Sequence, residues 1–207
     1  MALAIILRKQ LSINRFRDLM IDAINTGQGN NALLCSGFFQ EDYHGYGYRA
    51  TQERNFAKIL ASKRISLITV GIYHAYWKQS YVKFKNNLLA AGVNISAKYK
   101  NGLKWHAKVF ILSRDQDPIF GIVGSSNITR RAFGSSIDFN YECDAVIWPD
   151  SEQEINKVAN EFLDVIDDYH EVIRAPYEID RNWGLTVQDR LNEIKREILE
   201  IGLTNLD

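Results

Sequence analysis

Two short segments of this 207-residue chain bring together residue types that could do chemistry: Trp105-His106-Ala107-Lys108-Val109-Phe110 and Gly124-Ser125-Ser126-Asn127. The pattern predicts a strand over Lys104 to Ser113. Residues two apart on a strand point to one face, so His106 and Lys108 are expected to project together while Trp105, Ala107 and Val109 face the core. An imidazole that titrates near neutrality can attack phosphorus or act as a general acid, and an ammonium beside it can hold nonbridging phosphate oxygens. Gly124 to Asn127 follows a second strand, Ile119 to Val123, and is expected to turn into a helix near Ile128 to Phe133. That turn would offer hydroxyls, an amide and backbone N–H groups to an anion. Both segments converge on one phosphate-sized site.

These residues resemble the phospholipase D superfamily, whose signature is HxK, four residues, Asp, and then GSxN. His106, Lys108, Ser125 and Asn127 match it, and Gly121-Ile122-Val123-Gly124-Ser125-Ser126-Asn127-Ile128-Thr129-Arg130-Arg131 looks like the nuclease branch. Asn140-Tyr141-Glu142 matches the carboxylate that orients the histidine in that family. The family Asp falls at Ser113 here, with Asp115 and Asp117 in the loop that follows. The resemblance covers roughly Asn31 to His170.

The resemblance implies a phosphodiesterase that needs neither metal nor cofactor and works through a phosphohistidine. Larger family members carry two HxK motifs; this chain carries one, because His44, His74 and His170 have no Lys two residues on. A homodimer with its site on the twofold axis is therefore implied. One His106 would attack phosphorus while its symmetry mate protonates the leaving oxygen and later activates water. Lys108 and Asn127 would stabilise charge on the phosphoryl oxygens, Ser125 would assist, and Glu142 would hold the imidazole tautomer. DNA is the expected substrate, as in restriction-type endonucleases, with Lys104, Ser126, Arg130, Arg131, Tyr46 and His74 as candidate substrate contacts. Arg130 and Arg131 could reach phosphates beyond the scissile one, and the loop Tyr43 to Arg49, with Tyr73, Tyr76 and Trp77, could stack bases. No recognition motif of a known kind is visible, so cleavage by this chain alone would be weakly sequence-selective, or be directed by a further domain or by a specificity or helicase subunit. Two alternatives stand beside this reading: a phospholipase or phosphatidyl transferase, and a catalytically silent binding subunit of a larger nuclease complex.

The elements that must position these groups follow from periodicity. A helix capped by Ser12 has Phe16, Leu19, Met20, Ala23 and Ile24 on one side and ends near Gly27. A strand over Asn31 to Phe39, a helix near Glu53 to Lys63, a strand from Ile65 to Tyr73, a helix near Tyr81 to Ala91 and a strand from Val93 to Lys100 then alternate. This alternation predicts a layered α/β sandwich of the phospholipase D type, with a mixed, largely parallel sheet flanked by helices. The two strands around Arg114 to Pro118 form a hairpin, and a last strand runs near Tyr141 to Trp148. Ser151 and Glu154 form a capping-box pattern ahead of a helix bearing Ile155, Val158, Phe162, Leu163 and Ile166. The catalytic domain is expected over residues 1–170. Residues 171–207 would add a helical extension whose seam, Val187, Leu191, Ile194, Ile198 and Ile201, docks on its own domain or meets a partner.

The chain carries 25 Lys and Arg against 25 Asp and Glu, but they are segregated. Met1 to Ile137 has 19 basic and 7 acidic residues, a net +12, and Asp138 to Asp207 has 6 and 18, a net −12. Between Asn55 and Arg114 there are eleven cations and no acid. A polyanion is the natural partner for such a stretch, although internal pairing with the acidic tail is the competing explanation. The acidic C-terminal helices argue against anionic lipid. No apolar run approaches the ~20 residues that span a bilayer. Ala2 to Leu7 precedes Arg8 and Lys9, the reverse of a secretory signal, so a cytoplasmic protein without membrane contact is expected. Cys35 and Cys143 lie in apolar strand-like segments outside any CxxC or Cys/His cluster, which predicts buried free thiols and no metal site.

Overall fold

The computed structural model describes residues 3–9, 14–72, 74–135, 138–164 and 171–207. The strands are β1 (Leu3–Arg8), β2 (Asn31–Ser36), β3 (Ser66–Ile72), β4 (Asn94–Lys100), β5 (Lys108–Arg114), β6 (Asp117–Gly124), β7 (Glu142–Ile147), β8 (Val172–Ala175) and β9 (Thr204–Asn205). The helices are α1 (Arg15–Asn25), α2 (Phe56–Ser62), α3 (Ala75–Ala90), α4 (Gln153–Asp164) and α5 (Val187–Glu200). The strands form one sheet in the order β8-β1-β7-β6-β5-β2-β3-β4-β9.

The layered α/β class is as expected, with one change of balance. Only β2–β3 and β3–β4 pair in parallel, through the crossover helices α2 and α3; the remaining pairings are antiparallel. The sheet is therefore mixed and mainly antiparallel rather than largely parallel. The reason is local: short turns and returning chain ends build the antiparallel part, whereas parallel neighbours need a long crossover. The β5–β6 hairpin turns at Asp115, which takes a positive φ of 54°.

Helices cover both faces. On one, Phe16, Leu19 and Ile24 of α1, Phe56 of α2, Phe84 of α3 and Ile155 of α4 join the main core. On the other, Val187, Leu191 and Ile198 of α5 pack on Leu33, Cys35, Val70, Val109 and Ile111. The narrow apolar seam of α5 thus docks on its own sheet. The segment 171–207 also supplies β8 at one edge of the sheet and β9 at the other.

Several boundaries moved. Helix α1 is capped by Asn14, whose side chain accepts from Arg17 N at 3.0 Å; Ser12 lies outside the described residues, as do Tyr73, Ile166 and His170. Strand β2 stops at Ser36, and Phe39 makes a lone bridge to Ile128. Short 3-10 turns, Tyr43–Gly45 and Ala50–Asn55, fill the loop before α2, so that helix starts late, while α3 starts early, at Ala75. Ala2 to Leu7, read only as an apolar run, largely coincides with the strand β1, which pairs with β7 and β8. Cys143 is exposed rather than buried, because α5 does not cover that end of β7; Cys35 is buried, and burial pushes its thiol up to about 12.

Candidate active site

The β5–β6 hairpin and β7 build the site from adjacent strand ends. Lys108 opens β5 opposite Gly124, which closes β6 and in turn faces Asp144 of β7. The strand does not extend back to Lys104 as expected. Gly124 is the last residue of β6, so the chain turns away and leaves nothing for residues before Lys108 to pair with. His106 therefore sits in the connector before β5, exposed, and the two-residue alternation of a strand does not govern it. Lys108 is only 6% exposed and donates from Nζ to the His106 carbonyl oxygen at 2.8 Å, which ties the pair together through the main chain. Burial lowers the Lys108 pKa, opposed chiefly by the nearby Glu142 carboxylate.

Glycine is required at position 124 by close approach. A Cβ there would lie 2.6 Å from both Asp144 Cα and the Cys143 carbonyl oxygen. That contact lets the next residue cross onto β7: Ser125 N donates to Cys143 O at 3.1 Å, and Cys143 N donates to Ser125 Oγ at 2.9 Å. Ser125 Oγ in turn donates to Glu142 Oε2, and Asn140 Nδ2 donates to Glu142 Oε1 at 3.1 Å. The Glu142 carboxylate, 9% exposed, is thus held in place by Ser125 and Asn140.

The expected helix after Asn127 is a run of turns. The backbone donors that a helix N-terminus would have aimed at an anion are consumed locally. Ser126 N donates to Asp144 Oδ1 at 3.2 Å and Ile128 N to Ser36 Oγ at 3.1 Å. Ser126 is buried, with Oγ donating to Asp144 Oδ2 at 2.6 Å, so it pins the turn instead of lining the cleft. Burial pushes the Asp144 carboxyl up to about 6 in spite of these bonds. Asn127 Oδ1 lies 3.2 Å from Ser36 Oγ, which leaves the Asn127 amide nitrogen as the donor toward the cleft.

An open cleft of about 540 Å³ is lined by His106, Lys108, Ser125, Asn127 and Glu142, with Phe139, Asn140 and Tyr141 at its side. All five catalytic candidates therefore share one cavity. Through Asn127 and Asn140 it continues into a groove of about 550 Å³ that holds Tyr46, Arg130 and Arg131 together with Phe38, Tyr43 and Trp77. Arg131 is paired with Asp138 at 2.6 Å, and Arg130 N donates to Gln40 Oε1 at 2.7 Å. His74 lies farther along, stacked on Trp77 at 4.4 Å, and Lys104 lines neither cavity. Asp115 and Asp117 are at the opposite end of the β5–β6 hairpin, away from the cleft.

Sequence reasoning missed three supports. Arg8 of β1 donates to the carbonyls of Arg131, Ala132 and Gly134 and so fixes the turn that carries both arginines. Asp144 holds Ser126, and Ser36 holds Asn127. Asp144 carried a readable signal, lying one strand period beyond Glu142; Arg8 and Ser36 are distant in sequence and carried none. Among the described residues no group of three or more His, Cys, Asp or Glu side chains could hold a metal ion, and no helix is long and apolar enough to cross a membrane.

Residues 46–166 match the family model described as "Cardiolipin synthase, PLD-like domain". No curated protein matches the chain. Among solved structures, NucT from Helicobacter pylori is 16% identical with a TM-score of 0.45, over 78% of this chain and 93% of that one. Polyphosphate kinase from Porphyromonas gingivalis is 13% identical with a TM-score of 0.47, over 95% of this chain and 31% of that one. Phosphatidylserine synthase from Haemophilus influenzae is 11% identical with a TM-score of 0.45, over 97% of this chain and 46% of that one.

Proposed function

The chain belongs to the phospholipase D-like family, and from that premise we propose that it is a metal-independent phosphodiesterase that hydrolyses nucleic acid, with DNA the expected substrate, at a site completed by a second copy of the chain. The observation that carries this reading is the convergence of His106, Lys108, Ser125, Asn127 and Glu142 on one open cleft. The eleven cations and absent acids of the stretch around it favour a polyanionic substrate.

An imidazole nitrogen of His106 attacks phosphorus; the N–P bond forms as the bond to the leaving oxygen breaks. The imidazolium of His106 of the partner subunit gives its proton to that oxygen, then takes a proton from the water that attacks the phosphohistidine. The P–N bond breaks, and His106 is regenerated with release of a phosphate monoester. The Lys108 ammonium and the Asn127 amide meet charge on the nonbridging oxygens. Ser125 and Asn140 hold the Glu142 carboxylate beside this charge. A second copy fits because the cleft is open, His106 is exposed, and Tyr141 stands 77% exposed at its margin.

The test is cleavage of plasmid and single-stranded DNA in excess EDTA by wild-type protein mixed with His106→Ala at a fixed total. Cutting by wild type and not by the variant is expected. With subunit exchange, activity should fall as the square of the wild-type fraction; a linear fall would exclude the shared site. Absence of DNA cutting with turnover of a phospholipid diester would move the substrate to lipid.

A further inference from the structure

Beside the cleft, aromatic rings from the loop after β2 and from the start of α3 meet in one ridge. Phe38, just after β2, stacks on Trp77 with centroids 5.0 Å apart and planes at 29°. Trp77 stacks on His74 at 4.4 Å and 28°, and Phe38 meets Tyr43 edge-on at 5.1 Å. Tyr46 and Tyr76 are each 72% exposed. Burial does not explain such rings: an exposed tyrosine contributes little to a core, and the ridge stands outside both apolar clusters of the sheet. Phe38, Trp77, Tyr43 and Tyr46 line the groove that also carries Arg130 and Arg131 and opens into the His106 cleft.

We infer that this groove is a subsite for unpaired nucleobases, so that the substrate is a single-stranded polynucleotide; this rests on the phosphodiesterase reading of the adjoining cleft. Every base has a π-face, and stacking on aromatic side chains beside backbone-neutralising cations is how single strands are held without sequence readout. A duplex hides those faces in its own stack and could offer the groove only phosphates. A choline, ethanolamine, serine or glycerol headgroup has no aromatic face to stack. The order along the surface also suits a strand: scissile phosphate at His106, next phosphates at Arg130 and Arg131, and bases on the ridge. Asp138, which pairs with Arg131 at 2.6 Å, would be displaced by the incoming phosphate.

The test uses the full chain carrying His106→Ala, so that binding is read without cleavage, in EDTA and low salt. The probes are a labelled DNA oligonucleotide, the same strand in a duplex, and an abasic backbone of equal length. The base-bearing strand should bind at least about tenfold more tightly than the abasic one, and more tightly than the duplex. Tyr46→Ala, at an exposed position, and Trp77→Ala should each cost on the order of tenfold in single-strand affinity and leave abasic binding unchanged, while Trp77→Phe retains most of it. Equal binding of abasic and base-bearing strands, or tighter binding of the duplex, overturns the subsite. Cleavage is scored apart, by comparing the wild type with His106→Ala. Base-dependent binding without His106-dependent cutting would remove the reaction and keep the subsite. Cutting with base-independent binding would do the reverse.

Discussion

Asp144 shows how a residue can shape a cleft without lining it. It is 3% exposed, accepts two hydrogen bonds from Ser126, and its carboxyl is pushed up to about 6 by burial. A raised folded-state value means that the native protein binds this proton more tightly than the unfolded chain does. Its contribution is fully present below the ordinary value of 3.8 and is lost as pH rises through about 6. At neutral pH this amounts to about 3 kcal/mol of stability forgone. Asp22, Glu41 and Glu53 are also raised by burial and act in the same direction. Asp144→Asn should therefore reduce, without abolishing, the decline in stability between pH 4 and 7, as read from urea midpoints across that range; an unchanged slope would count against the buried carboxylate. His106, Lys108, Ser125 and Asn127 were legible in two short motifs, and Glu142 only through the family resemblance those motifs carry. Their mutual contacts were not, since the Ser125–Glu142 bond depends on how closely Gly124 lets β6 approach β7.

At the scale of elements, α5 owes its position to a missing side chain. A Cβ on Gly121 would lie 2.3 Å from Leu191 Cδ2, so the helix reaches β6 only because glycine is there. Leu191 is fully buried and has no room to give way. Leu191→Ala should cost about 2–5 kcal/mol in unfolding free energy. Gly121→Ala should also destabilise, because it forces the helix outward, and urea denaturation checks both. If Leu191→Ala unfolds at the wild-type midpoint, α5 is not packed as described. The seam of α5 was readable as apolar periodicity, and docking and partner contact could not be told apart there because either would bury the same stripe. Strand β5 was misjudged at its start for a comparable reason. Alternation in sequence marks a pattern of faces, whereas a strand ends where its neighbour's last hydrogen-bonding group ends, here at Gly124. The expected helix at Ile128 to Phe133 is cut to a single helical turn, in which Phe133 N and Gly134 N donate to the carbonyls of Thr129 and Arg130 at 2.6 and 3.1 Å, while Ser36 and Gln40 take the donors of Ile128 and Arg130 at its start.

Across the whole molecule, the opposed charges of the two parts of the chain are used in two ways. Some are joined internally: Arg15 pairs with Glu171 at 3.1 Å, Arg114 with Glu152 at 2.6 Å, and Lys85 and Lys100 donate to the carbonyls of Leu206 and Gly202. Arg130 and Arg131 line the groove while facing Asp138 of the acidic part, at 3.9 and 2.6 Å. Composition could announce the asymmetry but not divide it, because that division depends on where the acidic segment returns to the sheet. It returns at both edges, with β8 on β1 and β9 on β4, and α5 lies across one face between them. The two cysteines stand on either side of that arrangement, Cys143 open to solvent and Cys35 beneath the helix with its thiol pushed up to about 12. An aromatic disulfide reagent should accordingly consume one thiol at once and the second only as often as α5 lifts off, so the slow phase counts detachments of the C-terminal segment in the native protein. Leu191→Ala should quicken that phase and leave the fast one alone; two equally fast thiols would mean the helix does not shield the sheet.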